Sequence, residues 1–104
     1  MKIEKINSYL ARDQFIVEII TDKGISGVGQ SACWAYPEAV KAIVDRFKNI
    51  LIGKDPFMIE EINQLLMRTG PFRGSVLSGA ISCIDIALWA VSYTHLRAHE
   101  TDRH

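Results

Sequence analysis

The sequence predicts an α+β domain in which a three-stranded antiparallel meander is followed by a bundle of about three helices. Extended, β-branched runs fill the first 31 residues, and helical periodicity begins at Tyr36-Pro37-Glu38. The chain has 104 residues, of which 48% are hydrophobic and 23% are charged. These values predict one globular domain with one modest core.

The charge balance and the cysteine content restrict the partners and the compartment. Twelve Lys and Arg residues balance twelve Asp and Glu residues, so no basic surface is expected for nucleic acid or an anionic membrane. The longest weakly charged stretch, 76–91, is shorter than the roughly 20 residues that cross a bilayer, and the first residues do not form a signal peptide. Cys33 and Cys83 fall in different elements and suggest no disulfide framework, which favours the cytoplasm.

The predicted sheet is built from residues 2–10, 15–20 and 25–30. Residues 15–20 are mostly β-branched and must be largely covered, whereas polar and apolar residues alternate imperfectly in 2–10. The segment 21–24 has turn chemistry, and Gly24 can adopt a positive φ. The glycines of GISGVGQ do not have the spacing of a dinucleotide-binding loop, so we expect them to relieve backbone crowding.

Proline and glycine mark the helix boundaries. The first helix is predicted to begin at Pro37 and to end at Gly53. Asp55-Pro56 is expected to open the second helix as N-cap and first helical residue, and Gly70-Pro71 is expected to stop it. The third helix is expected over about 75–91.

The third predicted helix is apolar around almost its whole circumference. Two amphipathic helices and a small sheet can cover only part of such a helix. An uncovered apolar patch of this kind usually marks a docking surface. We therefore expect a partner domain, or a second chain, against this helix.

Four residues outside the repeating patterns are candidates for a functional role. Trp34 and Tyr36 either line a ligand site or staple the sheet to the first helix. Arg73 lies between glycines and either binds an anionic group or remains exposed or caps a helix. Asp85 lies in the apolar third helix; we expect a structural role, in which it accepts hydrogen bonds or pairs with Arg73, rather than a catalytic one.

The last 13 residues, SYTHLRAHETDRH, hold all three histidines. His95 and His99, with Glu100, have the spacing of half a helical zinc site. A polar terminal segment of this kind is more typical of a solvated, disordered tail. A zinc site in this segment would be supported only if deleting residues 92–104 abolished metal binding.

The order of the segments resembles the N-terminal capping domain of the enolase superfamily. The segments that carry the resemblance are MKIEKINSYL, FIVEIITDKGISGVGQS, YPEAVKAIVDRFKNILIGKDPFMIEEINQLLMR, FRG and SGAISCIDIALW. They are similar to the mandelate racemase and muconate-lactonizing branch, nearest the acid-sugar dehydratases. Gln30 stands where many members of that branch have glutamate.

The resemblance implies that residues 1–91 are the capping domain of a larger lyase. In this family the cap closes over a (β/α) barrel that carries the acid-base residues and the Mg²⁺ ligands, and the whole enzyme binds a sugar acid such as an aldonate. It also implies a cytoplasmic homo-oligomer, and a fragment that is catalytically incompetent and binds no cofactor alone. The cap loops would lie at 11–14 and 31–36, which favours Trp34 and Tyr36 as substrate-binding residues, and Arg73 is the third candidate.

Residues 92–104 do not continue that resemblance. They resemble a translated sequencing adapter, a peptide found at the ends of unrelated protein sequences, and we interpret them as a non-native, disordered tail. A second hypothesis treats the chain as a stand-alone interaction module that docks through the apolar third helix. That module would form a monodisperse oligomer, whereas an orphaned cap would aggregate and bind hydrophobic dyes.

Overall fold

The computed structural model describes residues 1–11, 14–31, 37–68 and 75–101. Within them three strands precede three helices, so the predicted α+β class and element order are confirmed. The strands form one antiparallel sheet in the order β1-β2-β3, and the helices cover one of its faces. The elements are β1 Ile3–Ala11, β2 Gln14–Thr21, β3 Ser26–Ser31, α1 Pro37–Leu51, α2 Ile59–Met67 and α3 Ser75–Thr101.

The central strand β2 alternates between a covered and an open environment. Phe15, Val17 and Ile19 are fully buried against the helices, whereas the residues between them are only partly covered. This period of two is the one expected for a strand with one face on the core. The helices therefore pack on a single face of the sheet, and the other face stays open.

Two glycines adopt the positive φ that their positions require. Gly24 has φ 77° in the turn between β2 and β3, where its N–H donates to the Thr21 carbonyl at 3.1 Å. Gly53 has φ 87° just after α1, and its N–H donates to the Ile3 carbonyl at 2.8 Å. The second bond fixes the end of α1 beside the beginning of β1.

A small charged network joins α1 to β1. Ser8 Oγ donates to Asp45 Oδ1 at 3.3 Å, and the ammonium groups of Lys41 and Lys48 lie 2.7 and 2.9 Å from the same carboxylate. Burial alone would raise the pKa of the Asp45 carboxyl, but the two lysines outweigh it and hold that pKa below its ordinary value. The network is half exposed, so its contribution to stability is modest.

The depressed pKa of Asp45 predicts a specific pH dependence. A carboxyl with a lower pKa in the folded state stabilises the fold above its unfolded-state pKa, and loses that contribution as the pH falls through the folded-state value. We expect the midpoint of thermal unfolding to fall as the pH is lowered below about 4. Asp45→Asn should flatten this decline, as measured by circular dichroism. Parallel pH curves for the variant and the wild type would contradict the prediction.

The predicted beginning of the second helix is wrong. α2 begins at Ile59, and the preceding Met58 provides no side-chain cap. Asp55 Oδ1 instead accepts a hydrogen bond from the Phe57 N–H at 2.9 Å, and the Asp55 carbonyl accepts one from the Met58 N–H. The aspartate therefore stabilises a separate turn before α2. Asp side chains often bond nearby backbone N–H groups in this way, and such turns compete with helix formation.

Two strand glycines allow α3 to lie directly on β3. A Cβ on Gly29 would overlap the Cys83 carbonyl oxygen and lie 2.9 Å from the Ala87 nitrogen. A Cβ on Gly27 would overlap the Ala87 carbonyl oxygen and lie 2.5 Å from the Val91 nitrogen. The prediction that these glycines relieve backbone crowding is thus confirmed, and the crowding comes from the helix.

The third helix is longer than predicted. The sequence predicts an end near residue 91, before a disordered tail, but α3 continues through Thr101. No glycine or proline follows Gly79, so nothing in the sequence stops the helix. The His95 ring also packs 5.2 Å from the Phe57 ring, and the Arg97 guanidinium lies 5.9 Å from the Tyr93 ring centroid. That residues 92–104 are foreign to the domain stays a prediction.

One segment of α3 is long and apolar enough to cross a membrane by length and composition alone. It comprises Ser78–Arg97, which has a mean hydropathy of 1.2. The segment contacts β3, β2, α1 and α2, and Asp85 lies within it. Core helices of soluble domains meet the same criterion. The buried residues of this segment, among them Cys83, Ala87 and Val91, face the sheet and the other helices, so α3 is a core helix of this domain.

Candidate functional site

The ends of the three strands place two connecting segments at the same edge of the sheet. β1 ends at Ala11, which pairs with Gln14 at the beginning of β2. The next residue, Phe15, pairs with Ser31 at the end of β3. The chain segments 11–14 and 31–36, which the family resemblance assigns to the cap loops, therefore begin at one edge.

The helices bring their own ends to this edge. α1 begins at Pro37, and its far end is tied to the beginning of β1 by Gly53. α3 runs antiparallel to β3, because Gly29 lies beside Cys83 while Gly27, earlier in the strand, lies beside Val91. The first turn of α3 is therefore near the end of β3. We call this edge the loop end. It comprises the ends of β1, β3 and α2 and the beginnings of β2, α1 and α3.

The direction of α2 adds a third connecting segment to the loop end. Asn63 of α2 contacts Asp85, while Phe57, just before α2, contacts His95. α2 is thus antiparallel to α3, and its last residue, Met67, lies toward the beginning of α3. The segment 69–74, which connects the two helices, starts and finishes there.

The three predicted substrate-binding residues lie outside the described residues. Trp34 and Tyr36 belong to 32–36, and Arg73 belongs to 69–74. The described residues on either side of both segments nevertheless lie at the loop end. A role for all three in one site stays a prediction that is consistent with the topology.

The loop end also holds two glutamines that lie far apart in the sequence. Gln30 of β3 donates from Nε2 to the Oε1 of Gln14 on β2, and both side chains are exposed. Side-chain amides offer both donors and acceptors, which suits a polyhydroxylated ligand. Only the strand register brings them together; Gln14 lies 16 positions from Gln30, so residue spacing alone does not reveal the pair.

The described residues contain no cluster of three His, Cys, Asp or Glu side chains that could hold a metal ion. In the tail, the His95 ring packs against Phe57, and the side chains of His99 and Glu100 lie outside what the structure describes.

A second candidate surface lies along α3. Four large apolar side chains of the helix are 46–62% exposed: Ile86, Trp89, Tyr93 and Leu96. They are spaced by three, four and three residues, so they form one stripe on one helical face, which we call the α3 stripe. The opposite face, with Cys83, Ala87 and Val91, is fully buried. Within the predicted helix, 75–91, the described large apolar side chains that stay exposed are Ile86 and Trp89, so the expected uncovered surface is smaller than predicted there.

Asp85 has the structural contact that the sequence analysis expected. Its Oδ1 accepts a hydrogen bond from Asn63 Nδ2 at 2.7 Å, which links α3 to α2. The alternative partner, Arg73, lies outside the described residues. The partner found, Asn63, was not anticipated, because it lies 22 positions away.

This arrangement of sheet, helices and loops is that of a known family. The sequence profile of the mandelate racemase/muconate lactonizing enzyme N-terminal domain matches residues 6–98. The chain belongs to this family. It is similar to the D-galactonate dehydratase of Pectobacterium atrosepticum, with 40% identity over 93 residues, which are 88% of this chain and 24% of the relative.

Solved structures of the enolase superfamily share the fold. The 3,6-anhydro-D-galactonate cycloisomerase of Zobellia galactanivorans superposes with a TM-score of 0.85 at 32% identity, over 92% of this chain and 29% of that one. An enolase of Pantoea ananatis with bound D-gluconate and Mg superposes with a TM-score of 0.85 at 31% identity, over 91% of this chain and 25% of that one. The chain therefore spans about a quarter of the length of its relatives.

Proposed function

We propose that the chain is the capping domain of a Mg²⁺-dependent acid-sugar dehydratase, of the aldonate type, or of a closely related enzyme of this family. In that enzyme the domain closes over the active site and contributes to substrate specificity. The exposed Ile86 and Trp89 of the α3 stripe carry the proposal, because both lie within residues 1–91 and an exposed apolar surface of this kind usually marks an interaction site. The relatives are about four times as long and have the chain to supply a covering surface.

The loop end is the part of the domain that we assign to the substrate. Trp34, Tyr36 and Arg73 belong to segments that start and finish there, and Gln14 and Gln30 present exposed amides. Aromatic faces and amides suit the carbon skeleton and hydroxyls of a sugar acid, and a guanidinium suits its carboxylate. These five residues would select the substrate while the chemistry takes place elsewhere.

The chemical step is assigned to the remaining part of the enzyme, a barrel domain beyond this chain. We assign Mg²⁺ to that barrel as well, as the family resemblance implies. In this proposal the 104-residue chain alone binds no Mg²⁺ and turns over no substrate. The buried, free thiol of Cys83 is compatible with a cytoplasmic enzyme, which we expect to be a homo-oligomer.

A fusion protein tests the proposed function. Residues 1–91 would replace the matching quarter of the Pectobacterium atrosepticum D-galactonate dehydratase, giving what we call the fused enzyme. We expect it to dehydrate at least one member of a panel of aldonates when Mg²⁺ is present, and the 104-residue chain to dehydrate none. Turnover by the 104-residue chain alone, or a folded fused enzyme that dehydrates no aldonate, would overturn the proposal.

Light scattering of the 104-residue chain separates the second hypothesis. A stand-alone module that docks through α3 would be a monodisperse oligomer that does not bind a hydrophobic dye. The proposed capping domain leaves the α3 stripe uncovered when it is alone, so we expect it to bind the dye and to aggregate. A dye-silent, monodisperse dimer would favour the module instead.

A further inference from the structure

A carboxylate lies at the border of the α3 stripe. Asp85 is four residues before Trp89 and three after Ser82, so it adjoins both on the surface of the helix. Ser82 and Trp89 are exposed, whereas Asp85 is half-buried beside α2. Any surface that covers the stripe will therefore also cover this carboxylate.

The Asp85 carboxylate is held in place at a cost. Asn63 donates from Nδ2 to one of its oxygens, yet the Oδ1 of Asn63 is itself buried and finds no hydrogen-bond partner among the described residues. An apolar pair at these positions would avoid that cost. The Asn63–Asp85 pair has a purpose if the carboxylate that it orients binds a group outside this domain.

No cation of the described residues neutralises Asp85. The two ion pairs among the described residues both involve Asp45, on α1. In the domain alone, water can solvate the partly exposed carboxylate. Under a covering apolar surface the charge would lose that water, and an unpaired buried carboxylate is strongly unfavourable.

We propose that the surface covering the α3 stripe presents an arginine or lysine side chain to Asp85. The inference rests on the proposed function, since the occupant is the part of the full-length enzyme beyond this domain. The relatives have about three-quarters of their length there. The covering surface is accordingly apolar opposite Ile86 and Trp89 and cationic at the α2 side of the stripe, where a charge-assisted bond with Asp85 forms.

Asp85→Asn tests the pairing in two contexts. Asparagine keeps an acceptor for Asn63 but removes the charge. In the fused enzyme, with a protease site inserted at the junction, we expect the variant to raise the cleavage rate at least about tenfold, which is the effect of losing a hydrogen bond to a charged group. In the 104-residue chain we expect the urea midpoint to change little.

Two further variants make the result decisive. Asp85→Glu retains the charge and should restore slow cleavage, and Glu61→Gln removes an exposed carboxylate of α2 and should leave cleavage unchanged. A fused enzyme whose cleavage rate is indifferent to Asp85→Asn, or a variant that destabilises both proteins equally, would overturn the pairing. If the unsubstituted fused enzyme is active, either result leaves the proposed function standing, whereas an inactive one contradicts the proposed function itself.

Discussion

Gly29→Ala is expected to destabilise the fold strongly. Its Cβ would overlap the Cys83 carbonyl oxygen of α3 and crowd the Ala87 nitrogen, and backbone atoms in the middle of a helix cannot move aside as a flexible side chain can. Overpacking of this kind costs about 3 kcal/mol, a large part of the roughly 5–15 kcal/mol that stabilises a small domain. Urea denaturation followed by circular dichroism measures the loss.

The matched control for Gly29→Ala lies on the same strand. Val28 is 51% exposed on the opposite face of β3, so Val28→Thr preserves the branched shape and meets only solvent. We expect this variant to stay within about 0.5 kcal/mol of the wild type. If Gly29→Ala were equally harmless, the direct packing of α3 on β3 would be contradicted.

Replacing Ile86 and Trp89 together by serine is expected to have opposite consequences in the two proteins. The side chains are 46% and 59% exposed, so their removal should reduce dye binding and aggregation of the 104-residue chain. In the fused enzyme the same change removes apolar contact between the cap and the rest. About half of each side chain would be buried at this contact, and the free energy of that burial is about 2–3 kcal/mol for the two side chains together.

Activity and light scattering read out the double substitution. We expect the dehydration rate of the fused enzyme to fall by at least tenfold, while the 104-residue chain becomes more soluble. Val28→Thr again serves as the control, because Val28 is exposed on the open face of the sheet. A fused enzyme that keeps full activity without Ile86 and Trp89 would show that the α3 stripe is not a domain contact.

The local structure of the domain could be predicted at residues whose chemistry favours one backbone conformation, such as glycine in a turn or proline at the first position of a helix. Gly24 and Gly53 both have the positive φ that follows a strand or helix, and α1 begins at the predicted Pro37. The apolar character of α3 over 75–91, which includes the exposed Ile86 and Trp89, also followed from counting apolar residues around the helix. In each case the signal lies within a few consecutive residues.

Other features depended on contacts that the sequence does not display. The Asp55 side chain could either cap a helix or form its own turn. It forms the turn, because it accepts a hydrogen bond from the Phe57 N–H. Gly27 and Gly29 are required by α3, which crosses them some 60 positions later. The ending of α3 was misjudged because a change in sequence character does not stop a helix that lacks a breaking residue.

The candidate site was predictable only in part. The family resemblance identified the cap loops, and the strand register brings their beginnings to one edge of the sheet. Gln14 gave no signal, because its partnership with Gln30 exists only across two strands. The roles of Trp34, Tyr36 and Arg73 stay predictions.

Hydroxyl-radical footprinting of Trp89 tests the central claim, that the rest of the enzyme covers α3. Oxidation would be read by mass spectrometry in the 104-residue chain and in the fused enzyme, with Tyr9, which is 48% exposed on β1, as the internal reference. The account predicts that Trp89 is oxidised readily in the chain alone and is protected severalfold in the fused enzyme, while Tyr9 reacts alike in both. Equal oxidation of Trp89 in an active fused enzyme would contradict it.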